Sequence, residues 1–199
     1  MSTTASAVTA VHLRDICKIT SGMPSSRAKA RDEAGKELMS VTYPSIQSGF
    51  LDQTAFQPIR ATDRAFESLA VPGTILLKSV PPFAATLVPE GIGDLFVGSN
   101  VIVLSVLPNA PVTAGYLVAY LNSELGALNL EMVQAGASGA LKMIRTSQVR
   151  SLPVPVPSVQ QQQQLADLFF YTSEMSHHLK QLRLLEWSRY NTVFSDVVE

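Results

Sequence analysis

Apolar and polar positions change their rhythm near residue 158. Before it, apolar residues come in short blocks. Ile75, Leu76, Leu77 and Val80 follow the Pro72-Gly73 turn, and Val101, Ile102, Val103 and Leu104 form a second block. Both predict buried strands. "LMSVTYPSI" reads as a further strand, and Gly49 in "QSGFLDQTAF" marks a hairpin or bulge. In "VHLRDICKITSG" the apolar positions Leu13, Ile16, Cys17 and Ile19 predict a helical turn leading into a short strand that ends at Gly22. Residues 23–37 are polar and charged and read as a loop.

One helical period interrupts this first part. Thr113 is placed to cap a helix over residues 114–132, with Leu117, Tyr120, Leu121, Glu124 and Leu128 at steps of three and four. Glu124 would lie at the edge of that stripe. Residues 134–140 break the period with two glycines and three alanines, and 141–157 reads as short extended pieces.

From Leu165 the rhythm is a heptad. Leu165, Leu168, Thr172, Met175, Leu179 and Leu182 alternate steps of three and four, the seam of a coiled coil. Beyond Leu182 a strict seam would land on Glu186 and Arg189, so the stripe must drift toward Leu185, Tyr190, Val193 and Phe194. Such a helix, from about Ser158 to Ser195, would be on the order of 55 Å long, and nothing in its own sequence can cover so long a stripe. Leu165, Leu168, Met175, Leu179 and Leu182 are the expected dimerisation residues.

The change of rhythm is made by "SLPVPVPSVQQQQQLADLFF". Prolines 153, 155 and 157 remove every second backbone donor, so the segment can be an edge strand or a stiff connector but not a central strand. Ser158 stands three residues before Gln161, the spacing of a capping box. The glutamines that follow are helix formers rather than a flexible tract. The passage reads as a joint between residues 1–157, with 1–10 frayed, and a long helix over 158–199. The expected fold class is α+β: an irregular, mostly β body with one internal helix, followed by a long coiled-coil-type helix.

Composition excludes several classes of protein. Of the 199 residues 46% are hydrophobic and 16% charged, enough apolar material for one good core. A single cysteine, Cys17, excludes a disulfide framework and a cysteine-rich metal site. The first ten residues lack the features of a signal peptide, and no apolar run approaches the ~18 residues of a membrane span. A cytoplasmic location is expected.

Charge becomes informative once it is mapped. Residues 1–157 hold twelve Lys and Arg against eleven Asp and Glu, and residues 158–199 hold three against five. Two basic clusters stand out: Arg27, Lys29 and Arg31, and then Lys142, Arg145 and Arg150 in a stretch without acids. Enzyme constellations do not emerge. His177 and His178 are adjacent on a helix and point about 100° apart, which suits no single metal ion. "GIGDLFVG" lacks the third glycine of a dinucleotide loop and precedes a strand, and Ser138 in "GASGA" is not in a nucleophile elbow. Asp94 reads as a turn residue, and Asp32 and Glu33 as solvated loop charges.

The order of these pieces resembles the DNA specificity subunits of type I restriction-modification systems. The resemblance rests on "HLRDICKITSG", "VPGTILLKSV", "GYLVAYLNSE" and "QVRSLPVPVPSVQQQQQLADLF", and covers about Val11 to Val193. It implies a target recognition domain followed by a spacer helix, without catalytic residues or a cofactor of its own. Implied partners are double-stranded DNA, methyltransferase subunits that carry the S-adenosylmethionine, and a restriction or translocase subunit. The family's full subunit has two recognition domains and two spacer helices, whereas this chain has one of each, so a homodimer is expected. The family's Glu-Gln pair is also altered, falling within Gln160 to Gln164, which puts an acidic partner contact there in doubt.

Base reading needs directional donors: Arg toward guanine, and Asn or Gln toward adenine. The candidates are Ser25, Ser26, Arg27, Lys29 and Arg31 in the first loop, and Ser138, Lys142, Arg145 and Thr146 in the second cluster, followed by Gln47, Arg60 and Arg64. A body at +1 falls short of the excess positive charge usual in autonomous DNA-binding domains, so partners are expected to supply much of the grip. The alternative is an assembly protein that oligomerises through its long helix and has no nucleic-acid role.

Overall fold

The computed structural model describes residues 9–29, 35–135 and 143–198. The chain begins with strand β1 (Thr9–His12), which the sequence does not announce and whose first two residues, expected to be frayed, pair with Val156 and Pro155; it continues with the predicted helical turn α1 (Leu13–Ile16) and strand β2 (Cys17–Ser21). The stretch read as a loop contains a one-turn helix, α2 (Ser25–Ala28), before β3 (Lys36–Val41) begins. Ala28 anchors that turn, buried with Ile59, Ala61, Ala65 and Phe96. Strands β4 (Ile46–Gln47) and β5 (Phe50–Leu51) form a hairpin that turns at Gly49, whose φ of 71° an L side chain rarely adopts. There follow β6 (Gln57–Ala61), a 3₁₀ helix over Asp63–Ser68, β7 (Leu69–Ala70), β8 (Ile75–Lys78), β9 (Ala85–Leu87), β10 (Leu95–Val97) and β11 (Val101–Val106).

Two four-stranded sheets organise the body: an antiparallel one in the order β2-β11-β8-β9, and a mixed one in the order β6-β3-β10-β7 with a parallel β3–β10 pair. Strand periodicity divides the first sheet between two cores. Leu76, Val101 and Val103 face the second sheet, where they meet Val41, Leu95 and Val97. Ile75, Leu77, Ile102 and Leu104 face the opposite way, into the helical layer. The two apolar blocks of the sequence are therefore buried on both sides, and for that reason they show no alternation.

The helical layer departs from the expected single internal helix. It is broken into α3 (Ala114–Leu121) and α4 (Glu124–Ala135). Thr113 caps α3 as predicted, its hydroxyl accepting the Tyr116 N–H at 3.2 Å. Asn122 ends it. That side chain accepts the Ala85 N–H at 3.1 Å and donates to the Ala85 carbonyl at 2.9 Å, pairing with edge strand β9 as a strand would, and it also donates to the Val118 carbonyl at 2.7 Å. Ser123 then starts α4 by accepting the Gly126 N–H. The break shifts the helical phase, so Leu128, expected in the buried stripe, is 58% exposed while Leu130 is buried. The stretch after residue 142, expected to be extended, contains a further turn, α5 (Thr146–Val149).

The proline passage is an edge strand. β12 (Pro153–Val156) pairs antiparallel with β1, Pro155 opposite Ala10 and Pro153 opposite His12, in a two-stranded ribbon. The last helix, α6 (Val159–Val198), has 40 residues, about 60 Å at 1.5 Å per residue. Its capping box forms as expected. The Ser158 hydroxyl accepts the Gln161 N–H at 3.3 Å, and the Gln161 side-chain carbonyl accepts the Ser158 N–H at 3.1 Å. Among the described residues no helix is long and apolar enough to cross a membrane.

Candidate nucleic-acid interface and the projecting helix

The first basic cluster is held by packing rather than by ion pairs. Burial of Ala28 fixes α2, and the Ala28 carbonyl accepts the Thr62 N–H at 2.8 Å. Ser25, Ser26, Arg27 and Lys29 are exposed on that turn and its end. Lys29 bridges to Ala61, and α2 packs on the 3₁₀ helix that carries Arg64. The structure thus brings Ser25, Ser26, Arg27, Lys29 and Arg64 to one end of the mixed sheet. Arg60 lies on the other face of β6 from Ile59 and Ala61, 3.6 Å from Glu37. Asp63 and Glu67 on the same 3₁₀ helix reduce the local excess of charge. Arg31 falls outside the described residues.

The second cluster sits on a different element. Arg145 is exposed at the start of α5, whose Gln148 side chain accepts the Arg145 N–H at 2.9 Å, and Thr146 is half-buried. Ser138 and Lys142 fall outside the described residues. The preceding residue is tied to β8, because the Ile144 N–H donates to the Ser79 carbonyl at 2.8 Å. That bond joins the residue before Arg145 to the residue after Lys78, a cation that sequence reasoning passed over. Lys78 is 7% exposed, with its ammonium 4.2 Å from the centre of the Tyr43 ring, and burial lowers its pKa. Tyr43 is fixed in turn by donating its hydroxyl to the Val80 carbonyl at 3.0 Å. The one signal in the sequence was a lysine closing an otherwise apolar strand.

Gln47 is placed elsewhere again. Its side chain donates to the Pro44 carbonyl at 2.7 Å, and it lines a cavity of about 480 Å³ between the β4–β5 hairpin and α6. There His177 stacks on Phe50, ring centroids 4.0 Å apart, and the Ser173 hydroxyl donates to the Ser48 carbonyl. Among the described residues no group of three or more His, Cys, Asp or Glu side chains is placed to hold a metal ion. Cys17 is buried, which pushes its pKa up to about 12.

One buried polar side chain ties the root of α6 to the body by hydrogen bonds. Gln162 is fully buried. Its carbonyl accepts the Thr113 N–H at 2.9 Å, and its amide donates to the carbonyls of Pro111 at 2.8 Å and Pro157 at 3.0 Å. Gly115 lets α3 come close: a Cβ there would lie 3.4 Å from that of Ala166. Tyr116 and Tyr120 donate their hydroxyls to the carbonyls of Pro155 and Pro153, and so hold the proline strand from below.

The expected seam is left largely in solvent beside these attachments. Leu165, Leu168, Met175, Leu179 and Leu182 are 48%, 62%, 44%, 61% and 57% exposed. Trp187, Tyr190 and Phe194 form a stacked series at the far end and are similarly exposed.

No protein-family model and no curated protein matches the chain. Solved structures do. A chain from a type I R-M system, in a study of complex assembly and conformational transition, superposes with a TM-score of 0.61 at 16% identity, over 93% of this chain and 43% of its own. The HsdS subunit from Thermoanaerobacter tengcongensis gives 0.57 at 16% identity, over 91% of this chain and 41% of its own. The S subunit of a type I restriction-modification system from M. genitalium gives 0.53 at 15%, over 90% and 42%. The chain spans less than half the length of each. Its fold, an α+β body followed by a long helix, is the fold of type I specificity subunits over that share of their length.

Proposed function

We propose that this chain is a non-catalytic DNA-recognition subunit of a type I restriction-modification system. In this reading residues 1–157 are the target recognition domain, and the helix over 158–199 is the spacer. The body reads one half-site, and two copies pair through their long helices to present two bodies at a fixed separation. Methyltransferase subunits, and a restriction or translocase subunit, dock on the assembly and carry the chemistry.

The observation that supports this best is the combination of fold and exposed seam. A likeness covering less than half of each larger neighbour leaves room for a second body and a second helix, and a homodimer supplies both. The helix meanwhile presents five half-exposed or exposed seam positions along one stripe, which a second helix would cover. The cluster at α2 is the preferred DNA-facing surface, because it places hydroxyl and guanidinium donors side by side on a turn held rigid from below. Its modest charge excess predicts weak binding by the chain alone, since phosphate contacts supply most of the affinity for duplex DNA.

Fluorescence anisotropy with a pool of mixed duplexes, with and without a type I methyltransferase subunit, tests the reading. Binding that strengthens sharply with the methyltransferase is the expected result. Indifference to DNA under both conditions would refute it and leave the chain as an assembly protein.

A further inference from the structure

Among the described residues, Lys78 is the only charged side chain that the fold buries. Taking an ammonium out of water is costly unless an anion replaces the lost solvation. None does so here. The ion pairs among the described residues join Arg14 to Asp15 and Arg60 to Glu37, and Lys78 has neither an ion pair nor a hydrogen bond. Its one polar attachment is the face of the Tyr43 ring, 4.2 Å from the ammonium, which attracts the charge but leaves three N–H donors unused.

The acids of the body lie elsewhere or are engaged. Lys78 ends β8, level with Val101, whereas Glu90 follows β9 beyond Leu87, the partner of Ile75 at the other end of the strand. Asp94 precedes β10, and it is the far end of β10, at Val97, that adjoins Met23 and so the Gly22–Val101 contact beside Lys78. Asp52 lies just before a 3₁₀ turn packed on that of Tyr43, and its carboxylate accepts the Thr54 N–H at 3.0 Å and hydroxyl at 2.6 Å. The Lys78 ammonium nevertheless reaches solvent. Among the described residues the unpartnered side-chain polar atoms sealed from solvent are Thr62 Oγ1 and Ser79 Oγ; the Lys78 nitrogen, equally unpartnered, is not one of them, so its small exposure lies at the charged tip.

A second cation stands on the same rim. The Ile144 N–H donates to the Ser79 carbonyl at 2.8 Å, so one hydrogen bond and two peptide steps separate Lys78 from the exposed Arg145, at most about 13 Å between Cα atoms. Their two long side chains can meet on one small anion. The rim is stiff, because the Tyr43 hydroxyl donates to the Val80 carbonyl at 3.0 Å and the Ser79 N–H to the Asn100 carbonyl at 3.1 Å. An ammonium and a guanidinium together suit the several oxygens of a phosphate.

We infer that Lys78, with Arg145 as its second arm, binds a phosphate group at this rim. The site is separate from α2. Lys29 bridges to Ala61 opposite Lys36, where β3 begins, while Tyr43 follows the end of that six-residue strand, about 17 Å further on. A duplex backbone is the source that the DNA-recognition reading above supplies, and only the source rests on that reading. Held at two separated points, a backbone is oriented on the body before any base is read. An arriving phosphate also reverses the lowering that burial imposes on the Lys78 pKa.

Melting of the full chain in sodium phosphate and in sodium chloride, at matched ionic strength and pH 7, tests the site for wild type, Lys78→Met and Arg145→Ala. Phosphate stabilises proteins generally by exclusion from their surface, so the gain of wild type over the variants is the quantity read. In chloride Lys78→Met melts at or above wild type, because no charge is left to desolvate. At phosphate ten times its dissociation constant, wild type gains about 3–6 °C more than Lys78→Met. Arg145→Ala, at an exposed position, loses part of the same gain and carries the test if the other variant fails to fold. Equal gains in all three proteins overturn the site. Anisotropy with mixed duplexes and a type I methyltransferase subunit then identifies the source: Lys78→Met lowers affinity for all duplexes about tenfold and the log–log salt slope by about one. A phosphate gain lost in Lys78→Met with unchanged duplex affinity and slope assigns the site to free phosphate and overturns the backbone contact. If no duplex binds even wild type, the DNA-recognition reading fails and the melts alone decide the site.

Discussion

Gln162 is one of five consecutive glutamines, and the structure separates it from the other four. Truncation to Ala removes three hydrogen bonds, one from the Thr113 N–H and two to the carbonyls of Pro111 and Pro157. At about 1 kcal/mol net for each intramolecular bond, the loss is about 3 kcal/mol. Partial water entry at the rim, where Pro111 is exposed, keeps the cost below the full penalty for three stranded groups. For a chain of this size each kcal/mol lowers Tm by about 2–4 °C, so Gln162→Ala melts about 6–12 °C below wild type. Gln160→Ala, Gln163→Ala and Gln164→Ala, at exposed positions, stay within about 0.5 kcal/mol of wild type. Gln161→Ala loses the capping box and falls between, at about 0.5–1 kcal/mol. Gln162→Glu keeps the volume and the acceptor but turns the donor toward two carbonyls into a second acceptor. Its destabilisation therefore shrinks as pH falls and the carboxyl regains a proton. Circular dichroism melts of the six variants beside the wild type decide the matter. Equal Tm values for Gln162→Ala and Gln160→Ala would show that the root of the helix is not fastened as described.

Three further outcomes follow. Tyr116 and Tyr120 have pKa values raised above 10.0, by burial first in both cases, so the folded state retains protons that the unfolded state releases. Stability is full below pH 10.0 and falls as pH rises through the raised values; in Tyr116→Phe with Tyr120→Phe the urea midpoint between pH 9 and 11 declines less steeply. Arg27→Ala with Lys29→Ala lowers affinity for all duplexes alike and flattens the salt dependence by roughly two in the log–log slope if both contact phosphate. Unchanged slopes would move the contact surface away from α2. Cys17, buried with its pKa at about 12, stays unlabelled by iodoacetamide at pH 8 in the native chain and reacts once urea unfolds it; fast native labelling would contradict the packing of β2.

Much of this architecture was legible because local physics dictates it. Runs of β-branched and aliphatic residues made β8 and β11 readable, Thr113 and Ser158 announced the helices they cap, and a leucine period showed the long helix. What stayed hidden depends on partners far away in the chain. The parallel β3–β10 pair joins Met39 to Leu95, and neither segment shows a sign of the other. The break after Leu121 is made by Asn122 binding the edge of β9, whereas the side-chain period across it reads as continuous. Among the candidate DNA contacts, chain proximity alone puts Arg27 beside Lys29. It could not show that the fold adds Arg64 to them and turns Arg60 to the opposite face.

The long helix carries two apolar faces where a helix docked on a single body needs one. Ala166, Phe169 and Phe170 lie on the side that meets α3 and its core, while Leu168, Met175, Leu179 and Leu182 lie about 80° or more away around the axis. The attachments run from Gln162 to His177 on Phe50, about 22 Å of helix at 1.5 Å per residue. The remaining 21 residues, to Val198, extend for about 30 Å beyond the last of them. A root held by hydrogen bonds, packing and ring stacking fixes the direction of that free length, so the unused face points the same way in every copy. In the proposed pair, constant direction would let two copies meet in one register and hold one distance. If the attachments were loosened, as in Gln162→Ala, pairing would survive along the leucines, but the distance between bodies, measured by pulsed dipolar spectroscopy from labels on exposed body residues, would broaden. A distribution as narrow as that of the wild type would mean that the spacing is set by the pair of helices alone and owes nothing to the joint.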